Sequence, residues 1–460
     1  MSQRFPHRFT PETRVAPWQR LRVEGLSFGQ ALWNSVSYFR KSIYKKKSAP
    51  PEELRYFAAQ RKLFEHLQRH SPSPGGARVA LLGDIMWLRD GWDSFLDRPV
   101  LDHLNAHDVV IGNLESVITP RFKVPSLLPD YLTYNSHPGL VSSFRRPDGR
   151  STFTSLSLSN NHALDRGELG ARDTQDLLGD LAIAHSGIVF RKDDCPYTVF
   201  ESNGIRFGFH AAAWGLNSFV PPHPNVHMHA LPAGVFSGGS SVDLPAVRRV
   251  LADMSADGCD IRIVALHWGY EFEYYPDPAV MRVGHEVVRA GADIVLGTHP
   301  HVQQPCETLF VNGYESRLPD SVRSLGQEAT LAAEGPPRKA LIAYSMGNFA
   351  STMFTFACKV GWVLSLNAFR DSATGRADWH PAGSTFVVNV PRFGRDRTRR
   401  LLLLEDYRRQ RDCNGGIPAK EKAHFSFLHR HLFGNEEGSS TPDEYNHDRL
   451  NGPHLSHHSV

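Results

Sequence analysis

The sequence lacks the features that mark several large classes of protein. Its five cysteines lie far apart, are odd in number and form no C-x-x-C pair, so neither a disulfide framework nor a structural zinc site is predicted. It contains no run of about 18 consecutive apolar residues, and the opening segment MSQRFPHRFTPETRV has no apolar signal core. We therefore expect a cytoplasmic protein with reduced thiols, without a membrane span or a secretory signal.

A large excess of charge of one sign is also missing. The 51 Lys and Arg residues nearly balance the 48 Asp and Glu residues, which leaves a net charge of +3 over 460 residues. The basic runs lie near the ends of the chain, at 41–47 and 395–411, so no nucleic-acid partner is expected. Hydrophobic residues make up 41% of the chain, and no period repeats along it. Disordered, collagen-like and solenoid architectures are thus excluded for most of its length.

Composition divides the chain into three parts. Residues 1–76 are predicted to form a basic N-terminal appendage that ends in the breaker cluster SPSPGG. Apolar residues recur at helical spacing within 26–47, which indicates an amphipathic helix that either caps the following domain, the preferred interpretation, or contacts a membrane surface peripherally. Residues 78–393 are predicted to form the folded domain. Residues 394–460 are predicted to form a basic helix over 395–411 and a disordered polar tail.

Short apolar runs alternate with helical patterns in the central part, which is typical of an α/β fold with a sheet covered on both faces. Strands are predicted at 78–85, 108–115, 153–160, 261–269, 293–299, 339–349, 362–369 and 385–393. Helices are predicted at 168–181, 243–256 and 278–291. A hairpin over 197–214 is predicted to turn at Asn203 and Gly204, because Asn-Gly is the strongest short-range hairpin signal.

Polar side chains follow the strongest of these strands. They are Asp84, Asn113, Glu115, Asn160, Asn161, His162, His267, His299 and His301. Ligands of open α/β sheets bind at the carboxyl ends of the strands, so these side chains can converge. Each one alone is more often structural, but together they form a nitrogen and oxygen ligand set that suits Mn, Fe, Zn or Co better than Ca or Mg. The sequence therefore predicts a transition-metal site, with Glu115 as the candidate bridging carboxylate.

Six segments in a fixed order carry a family resemblance. They are GD (83–84), GNLE (112–115), NNHALDRG (160–167), HWGYE (267–271), GTHPHVQQP (297–305) and YSMGNF (344–349). These segments resemble the signature blocks of the CapA family of poly-γ-glutamate capsule synthesis proteins, over roughly residues 78–350. That family is similar to the calcineurin-like metallophosphoesterases. The resemblance implies a four-layered α/β/β/α sandwich with two metal ions at the strand ends.

The resemblance also implies a role for each matching residue. It implies that the first metal binds Asp84 and His301, that Glu115 bridges, and that the second metal binds Asn161, His267 and His299. His162 would protonate the leaving group or stabilise the transition state, and Asp165 would orient it. Met86 stands where phosphoesterases usually carry a metal-binding His, and thioethers bind hard divalent ions poorly. One tight and one weaker ion (Mn, Zn or Fe) are therefore expected.

The implied function is a metal-dependent hydrolase or transferase. Metal-activated water would attack a phosphoester or a γ-glutamyl amide in polyglutamate or envelope-polymer metabolism, with a small molecule or a polymer as substrate. The alternative is a non-catalytic component of a polymer-synthesis complex with a degenerate metal site, which Met86 favours and the pair of His162 and Asp165 disfavours. A nucleic-acid phosphoesterase ranks last. The roles of Glu271 and Asn348 stay open, and the loop HPNVHMHA (223–230) is expected to form a rim.

Overall fold

The computed structural model describes residues 49–70, 76–86, 88, 91–122, 134–216, 226–229, 231, 244–323, 329–391 and 399–434. The helices in these ranges are α1 (Pro51–Arg69), α2 (Arg98–Asn105), α3 (Gly139–Ser142), α4 (Gly167–Asp180), α5 (Pro245–Ala256), α6 (Pro278–Arg289), α7 (Asp320–Arg323), α8 (Leu404–Asp412) and α9 (Ala419–Phe433). The strands are β1 (Ala77–Ile85), β2 (Val109–Leu114), β3 (Ser155–Ser157), β4 (Ala184–Ser186), β5 (Ile188–Val189), β6 (Tyr197–Ser202), β7 (Ile205–Ala213), β8 (His227–Met228), β9 (Ile261–His267), β10 (Ile294–Thr298), β11 (Gln303–Val311), β12 (Thr330–Leu331), β13 (Arg338–Met346), β14 (Asn348–Ala350), β15 (Val360–Arg370), β16 (Ala377–Pro391) and β17 (Arg399–Leu403).

Most of these strands form two large sheets, and β5 and β8 form a separate two-stranded sheet. Sheet one has the order β17-β16-β15-β1-β2-β3-β4, with β14 pairing beside β1, and sheet two has the order β12-β11-β13-β10-β9-β7-β6. The strands β1 to β4 are parallel to one another in sheet one, as are β7, β9, β10 and β13 in sheet two. Antiparallel strands flank both parallel blocks. The carboxyl ends of the parallel strands are therefore available to form one site.

Alternation of buried side chains along each strand defines the layers. On β1, Val79 and Leu81 belong to the core between the two sheets, whereas Ala80 and Leu82 belong to a second core that includes residues of α2 and α4. Strand β9 alternates in the same way between the inter-sheet core and a third core that includes residues of α5 and α6. The layers run helix, sheet, sheet, helix. The predicted four-layered α/β/β/α sandwich is thus confirmed.

The predicted hairpin is also present. Strands β6 and β7 pair antiparallel, and the two residues between them, Asn203 and Gly204, both have positive φ (48° and 72°). A two-residue turn with positive φ at both central positions matches the right-handed twist of the flanking strands. Asn and Gly adopt this conformation at least cost, which explains why this dipeptide marked the turn.

One predicted element differs. The helix expected over 395–411 is wrong over residues 399–403, because Arg399–Leu403 forms strand β17, which pairs antiparallel with β16. Leu401 lies in the outer core of sheet one and Leu402 in the inter-sheet core, so the leucine run is buried with the period of two that a strand requires. The helix begins only at Leu404.

Helix α1 lies within the predicted N-terminal appendage and packs on the sandwich. Phe57 and Leu63 are fully buried, and the backbone N–H of Thr308 in β11 donates to Gln60 Oε1 at 2.8 Å. Residues 51–69 therefore share a core with sheet two. The predicted helix at 26–47 and the polar tail beyond residue 434 lie outside the described residues. No described helix combines the length and apolar character needed to cross a bilayer.

Candidate metal centre

Five predicted ligand residues meet at the carboxyl ends of four parallel strands. Asp84 lies near the end of β1, Glu115 follows β2, His267 ends β9, and His299 and His301 follow β10. All five are buried, with relative exposures of 0 to 6%. Ligand atoms of Glu115, His299 and His301 lie within 4.8 Å of one another, and so do those of Asp84, Glu115 and His267. Both sheets thus contribute to one compact cluster, and Glu115 belongs to both groups.

The segment after β10 adopts an unusual backbone. His299 and His301 have φ of 99° and 58°, a region that residues other than glycine occupy uncommonly and that is enriched at active sites. The backbone N–H of His299 donates to Asp84 Oδ2 at 3.1 Å, and the N–H of Phe272 donates to the carbonyl of Pro300 at 2.9 Å. These bonds hold the two imidazoles in the space between the sheets.

Glu115 has the environment that best fits a bound cation. Its side chain is fully buried, and among the described residues neither carboxylate oxygen has a hydrogen-bond partner. The closest basic groups are His267 Nε2 at 3.5 Å and His301 Nδ1 at 3.8 Å. Burial, reinforced by the charge of Asp84, raises the pKa of Glu115 well above its usual range. A buried carboxylate without donors is costly, and a bound divalent ion would supply the missing charge.

The three imidazoles differ in charge state. Burial and the neighbouring histidines, including His162, hold the pKa of His267 and His299 well below the usual value, so both rings are neutral and can act as metal ligands. Burial also lowers the pKa of His301, but the charges of Glu115 and Asp84 outweigh it and raise that pKa to about 10. A metal bound at His301 would therefore displace a proton.

Amide side chains surround the ligands. Asn161 Oδ1, a predicted ligand, lies 2.9 Å from His267 Nε2. Asn113 Nδ2 donates to Asp84 Oδ1 at 2.8 Å, and Asn160 Nδ2 donates to the carbonyl of Leu114 at 2.8 Å. Asn113 of β2 and Asn160, which follows β3, thus fix the carboxylate and the strand ends that carry the cluster, as outer groups at metal sites commonly do.

His162 and Asp165, the predicted catalytic pair, are in contact. His162 Nδ1 lies 2.6 Å from Asp165 Oδ2, and the backbone N–H of Tyr134 donates to the same oxygen. His162 belongs to neither ligand group, although it is close enough to lower the pKa of His267 and His299. Sequence reasoning missed Tyr134, because it lies outside the six segments and nothing in its local pattern marks it.

The side of the cluster near His301 includes the two residues whose roles were open. Asn348 Oδ1 lies 2.9 Å from His301 Nδ1, and Glu271 Oε1 lies 3.9 Å from His301 Nε2. Asn348 Nδ2 donates to Ser351 Oγ at 3.3 Å, and that hydroxyl lies 3.7 Å from the sulfur of Met86. Met86 is therefore connected to His301 through Asn348 and Ser351.

The histidine-bearing loop does not join the cluster in its described part. His223 lies outside the described residues, while His227 lies in β8 and the N–H of His229 donates to the carbonyl of Gly187 at 2.9 Å. Neither His227 nor His229 belongs to the two ligand groups. The role of this loop as a rim over the site stays a prediction.

Comparison with known proteins identifies the family of this chain. Residues 78–353 match the family described as bacterial capsule synthesis protein PGA_cap. The capsule biosynthesis protein CapA of Bacillus anthracis is 28% identical over 243 residues, which cover 49% of this chain and 54% of that protein. The PGA biosynthesis protein CapA of Bacillus subtilis (strain 168) is 30% identical over 245 residues, which cover 50% and 58%. The match thus spans little more than half the length of these relatives.

Two further proteins are similar. A protein of Mycobacterium tuberculosis named "probable polyglutamine synthesis accessory protein" is 29% identical over 243 residues, which cover 50% of this chain and 58% of that protein. The solved structure of a phosphatase from Mycoplasma pneumoniae covers 67% of this chain and 92% of its own, with 13% identity and a TM-score of 0.34. The family match covers more than half of the chain. The chain therefore belongs to the bacterial capsule synthesis protein family PGA_cap.

Proposed function

We propose that this protein is a metal-dependent hydrolase or transferase of the CapA type. It would act on a phosphoester or a γ-glutamyl amide in polyglutamate or envelope-polymer metabolism. The observation that carries the proposal is the contact of His162 with Asp165, 2.6 Å apart, beside the ligand cluster but outside both ligand groups. A site that only holds an ion for structural reasons has no use for such an imidazole.

The ligand residues fit one or two divalent transition metals, Mn, Zn or Fe. Asp84, Glu115, His267, His299 and His301 supply carboxylate oxygens and imidazole nitrogens, and Asn161 supplies an amide oxygen beside them. When bound, such ions lower the pKa of water and stabilise negative charge on a phosphoryl or carbonyl centre. Glu115 is the proposed bridge because it belongs to both groups. Met86 is the reason to expect one tight and one weaker ion.

His162 is the proposed proton donor. Because its Nδ1 contacts Asp165 Oδ2, Nδ1 carries a proton and Nε2 is the nitrogen left for the substrate. A ring oriented in this way suits a group that delivers a proton to a leaving oxygen or nitrogen. Asp165 receives a second hydrogen bond from the Tyr134 N–H, so its orientation is fixed independently of the substrate.

A second candidate function is a non-catalytic role in a polymer-synthesis complex. Met86 favours it, since a buried thioether stands where the related phosphoesterases have a ligand. The printed name of the Mycobacterium tuberculosis relative, an accessory protein, also favours it. In both cases we propose a cytoplasmic location. A helix within residues 26–47 is proposed to cap the domain, and peripheral contact with a membrane surface is the alternative.

Metal analysis combined with a substrate screen tests the proposal. The full-length protein is reconstituted with Mn, Zn or Fe and assayed on phosphomonoesters, phosphodiesters and γ-glutamyl peptides. His162→Ala is expected to keep its metal and to lower turnover by roughly 100- to 10,000-fold, the usual contribution of a positioned acid or base. His267→Ala is expected to lose metal and activity together, because it removes a ligand.

Three outcomes would contradict parts of this proposal. Absence of bound metal after reconstitution would refute the ligand assignment. Bound metal without turnover on any substrate class would favour the accessory role. Full activity in both variants would show that the chemistry occurs elsewhere in the protein.

A further inference from the structure

A second polar cavity lies at the opposite end of sheet two. The metal cluster follows the last residues of β9 and β10, whereas this cavity is lined by residues at the start of the strands, including Ile261 of β9, Arg338 of β13 and Ala377 of β16. Strand β9 has seven residues, which separate the two ends by about 20 Å. The cavity is therefore distinct from the metal centre. Its volume of about 40 Å³ has room for roughly three waters or one small anion.

A buried ammonium group forms the floor of this cavity. The side chain of Lys339 is fully buried, and its Nζ lies 3.4 Å from Asp378 Oδ1. It also lies over the rings of Trp379 and Tyr314, 4.9 and 5.4 Å from their centroids, but no described residue accepts a hydrogen bond from it. Asp378 is already engaged, because Tyr314 Oη donates to its Oδ2 at 2.5 Å and the N–H of Trp379 donates to its Oδ1 at 2.8 Å. An ammonium group has three donors, so Lys339 is short of acceptors.

The other carboxylates of the wall are occupied as well. Asp293 accepts from the backbone N–H and the guanidinium of Arg262 at 2.9 to 3.2 Å, and Arg338 Nε lies 3.3 Å from it. Asp260 pairs with Arg370 at 2.6 Å. These carboxylates therefore have little capacity left to neutralise the remaining cations.

The last carboxylate of the wall, Asp371, has neutral hydrogen-bond partners, and two arginines lie at the rim. Asp371 Oδ1 accepts from the N–H groups of Ala373 and Thr374. Arg317 and Arg376 are exposed at the rim, and no carboxylate among the described residues lies within ion-pair distance of either. Burial lowers the pKa of Arg338 against the opposing charge of Asp293, and the charges of Arg262 and Arg376 lower it further.

We propose that this cavity is an oxyanion site, held by Lys339 at the floor and by Arg317 and Arg376 at the rim. Its ligand is a phosphate or carboxylate group, because both present several acceptor oxygens to ammonium and guanidinium donors. The site does not depend on the metal centre or on the proposed hydrolysis.

Titration of the full-length, chelator-treated protein with inorganic phosphate at low ionic strength tests this site. Calorimetry should show saturable binding, and Arg317→Gln and Arg376→Gln should each weaken it by about tenfold or more, since each removes a charge-assisted pair. Arg191→Gln, an exposed arginine elsewhere, is the matched control and should bind like the wild type. A parallel titration with glutamate distinguishes a phosphate site from a carboxylate site.

The variant His267→Ala distinguishes phosphate binding in the cavity from phosphate binding at the metal centre. It removes a residue of the metal cluster, so phosphate binding that persists in this variant belongs to the cavity, and binding that disappears overturns the proposal. Wild-type affinity in both rim variants, or no saturable binding of phosphate or glutamate, would also overturn it. The melting temperature gives a second measurement, because phosphate should raise it in the wild type and less in the rim variants.

Discussion

The ring of Tyr134 lies flat on the imidazole of His162, with the centroids 3.6 Å apart and the planes 6° from parallel. The backbone N–H of Tyr134 also donates to Asp165, the carboxylate that contacts His162 Nδ1. One residue thus contacts both members of the proposed catalytic pair. Its ring fixes the plane of the imidazole, and its backbone fixes the carboxylate. Tyr134 is a positioning residue in the proposed function.

We predict that Tyr134→Leu lowers kcat by about 10- to 100-fold, because small displacements of a reacting group are costly. Tyr134→Phe, which keeps an aromatic ring, should stay within a few-fold of the wild type. The backbone N–H that binds Asp165 is retained in both variants, so the comparison isolates the ring. Both should keep their metal by elemental analysis. Loss of metal in Tyr134→Leu, or equal losses of kcat in both variants, would contradict a positioning role.

The convergence of the ligand residues could be predicted because it follows from strand polarity. Asp84, Glu115, His267 and His299 each come at or just after the carboxyl end of an apolar run that forms a parallel strand. Parallel strands bring such ends to one edge of a sheet. The local sequence therefore contained the information, although Asp84 and His299 are 215 positions apart.

Features that depend on tertiary contacts alone could not be predicted. The neighbours that define Tyr134 as part of the site, His162 and Asp165, lie about 30 positions away, and nothing in its own segment indicates them.

Helix α9 was missed for a different reason. Its His424, His429 and His431 are buried, and the ring of His431 packs on Phe427. Because histidine is usually a polar residue, these positions do not add to an apolar pattern, and the sequence does not indicate that this face of the helix is buried.

Helix α1 should be essential for stability, because it shares a core with sheet two. Phe57 is fully buried and meets Tyr344 edge to face at 6.2 Å. We predict that Phe57→Ala lowers the free energy of unfolding by about 3 to 5 kcal/mol. Leu54→Ala, on the exposed side of the same helix (38% exposed), should change it by less than about 0.5 kcal/mol. Urea unfolding measures both, and small effects from both variants would mean that α1 is dispensable.

Stability should decrease in acid partly because of His107. Its side chain is buried and lies 2.8 Å from Ser365 Oγ; burial, followed by the charges of His103 and Arg78, lowers its pKa from 6.5 to about 3. The unfolded chain takes up a proton near pH 6.5, but the folded protein does not until about pH 3. The stabilisation is therefore complete above pH 6.5 and is lost as the pH falls between these values, at about 1.4 kcal/mol per pH unit.

His107→Gln tests this linkage, since an amide can still bond to Ser365 but does not titrate. The free energy of unfolding, measured in urea at pH 6, 5 and 4, should fall less steeply in this variant, by about 1.4 kcal/mol per pH unit. His70→Gln, at an exposed histidine, is the matched control. An unchanged slope in His107→Gln would show that His107 is protonated in the folded state at these pH values.

Met86→His should tighten the weaker metal ion. Asp84 accepts a hydrogen bond from His299 of the opposite sheet, and Met86 belongs to the inter-sheet core, so both side chains lie between the sheets near the cluster. An imidazole at position 86 would add a nitrogen ligand where a thioether now stands. Ser351 Oγ, 3.7 Å from the present sulfur, could accept the N–H of the new ring and orient it as an outer-shell partner does.

The measurement is the number of ions retained after dialysis against graded Mn or Zn concentrations. We predict that Met86→His lowers the dissociation constant of the weaker ion by about 10- to 100-fold, at least the effect of an outer-shell partner. Met86→Leu fills the same volume without a donor atom and should leave the stoichiometry unchanged. If Met86→His also leaves it unchanged while the fold is intact, position 86 does not face the first site. The asymmetry between the two ions would then need another cause, such as the proton held by His301, whose pKa is about 10.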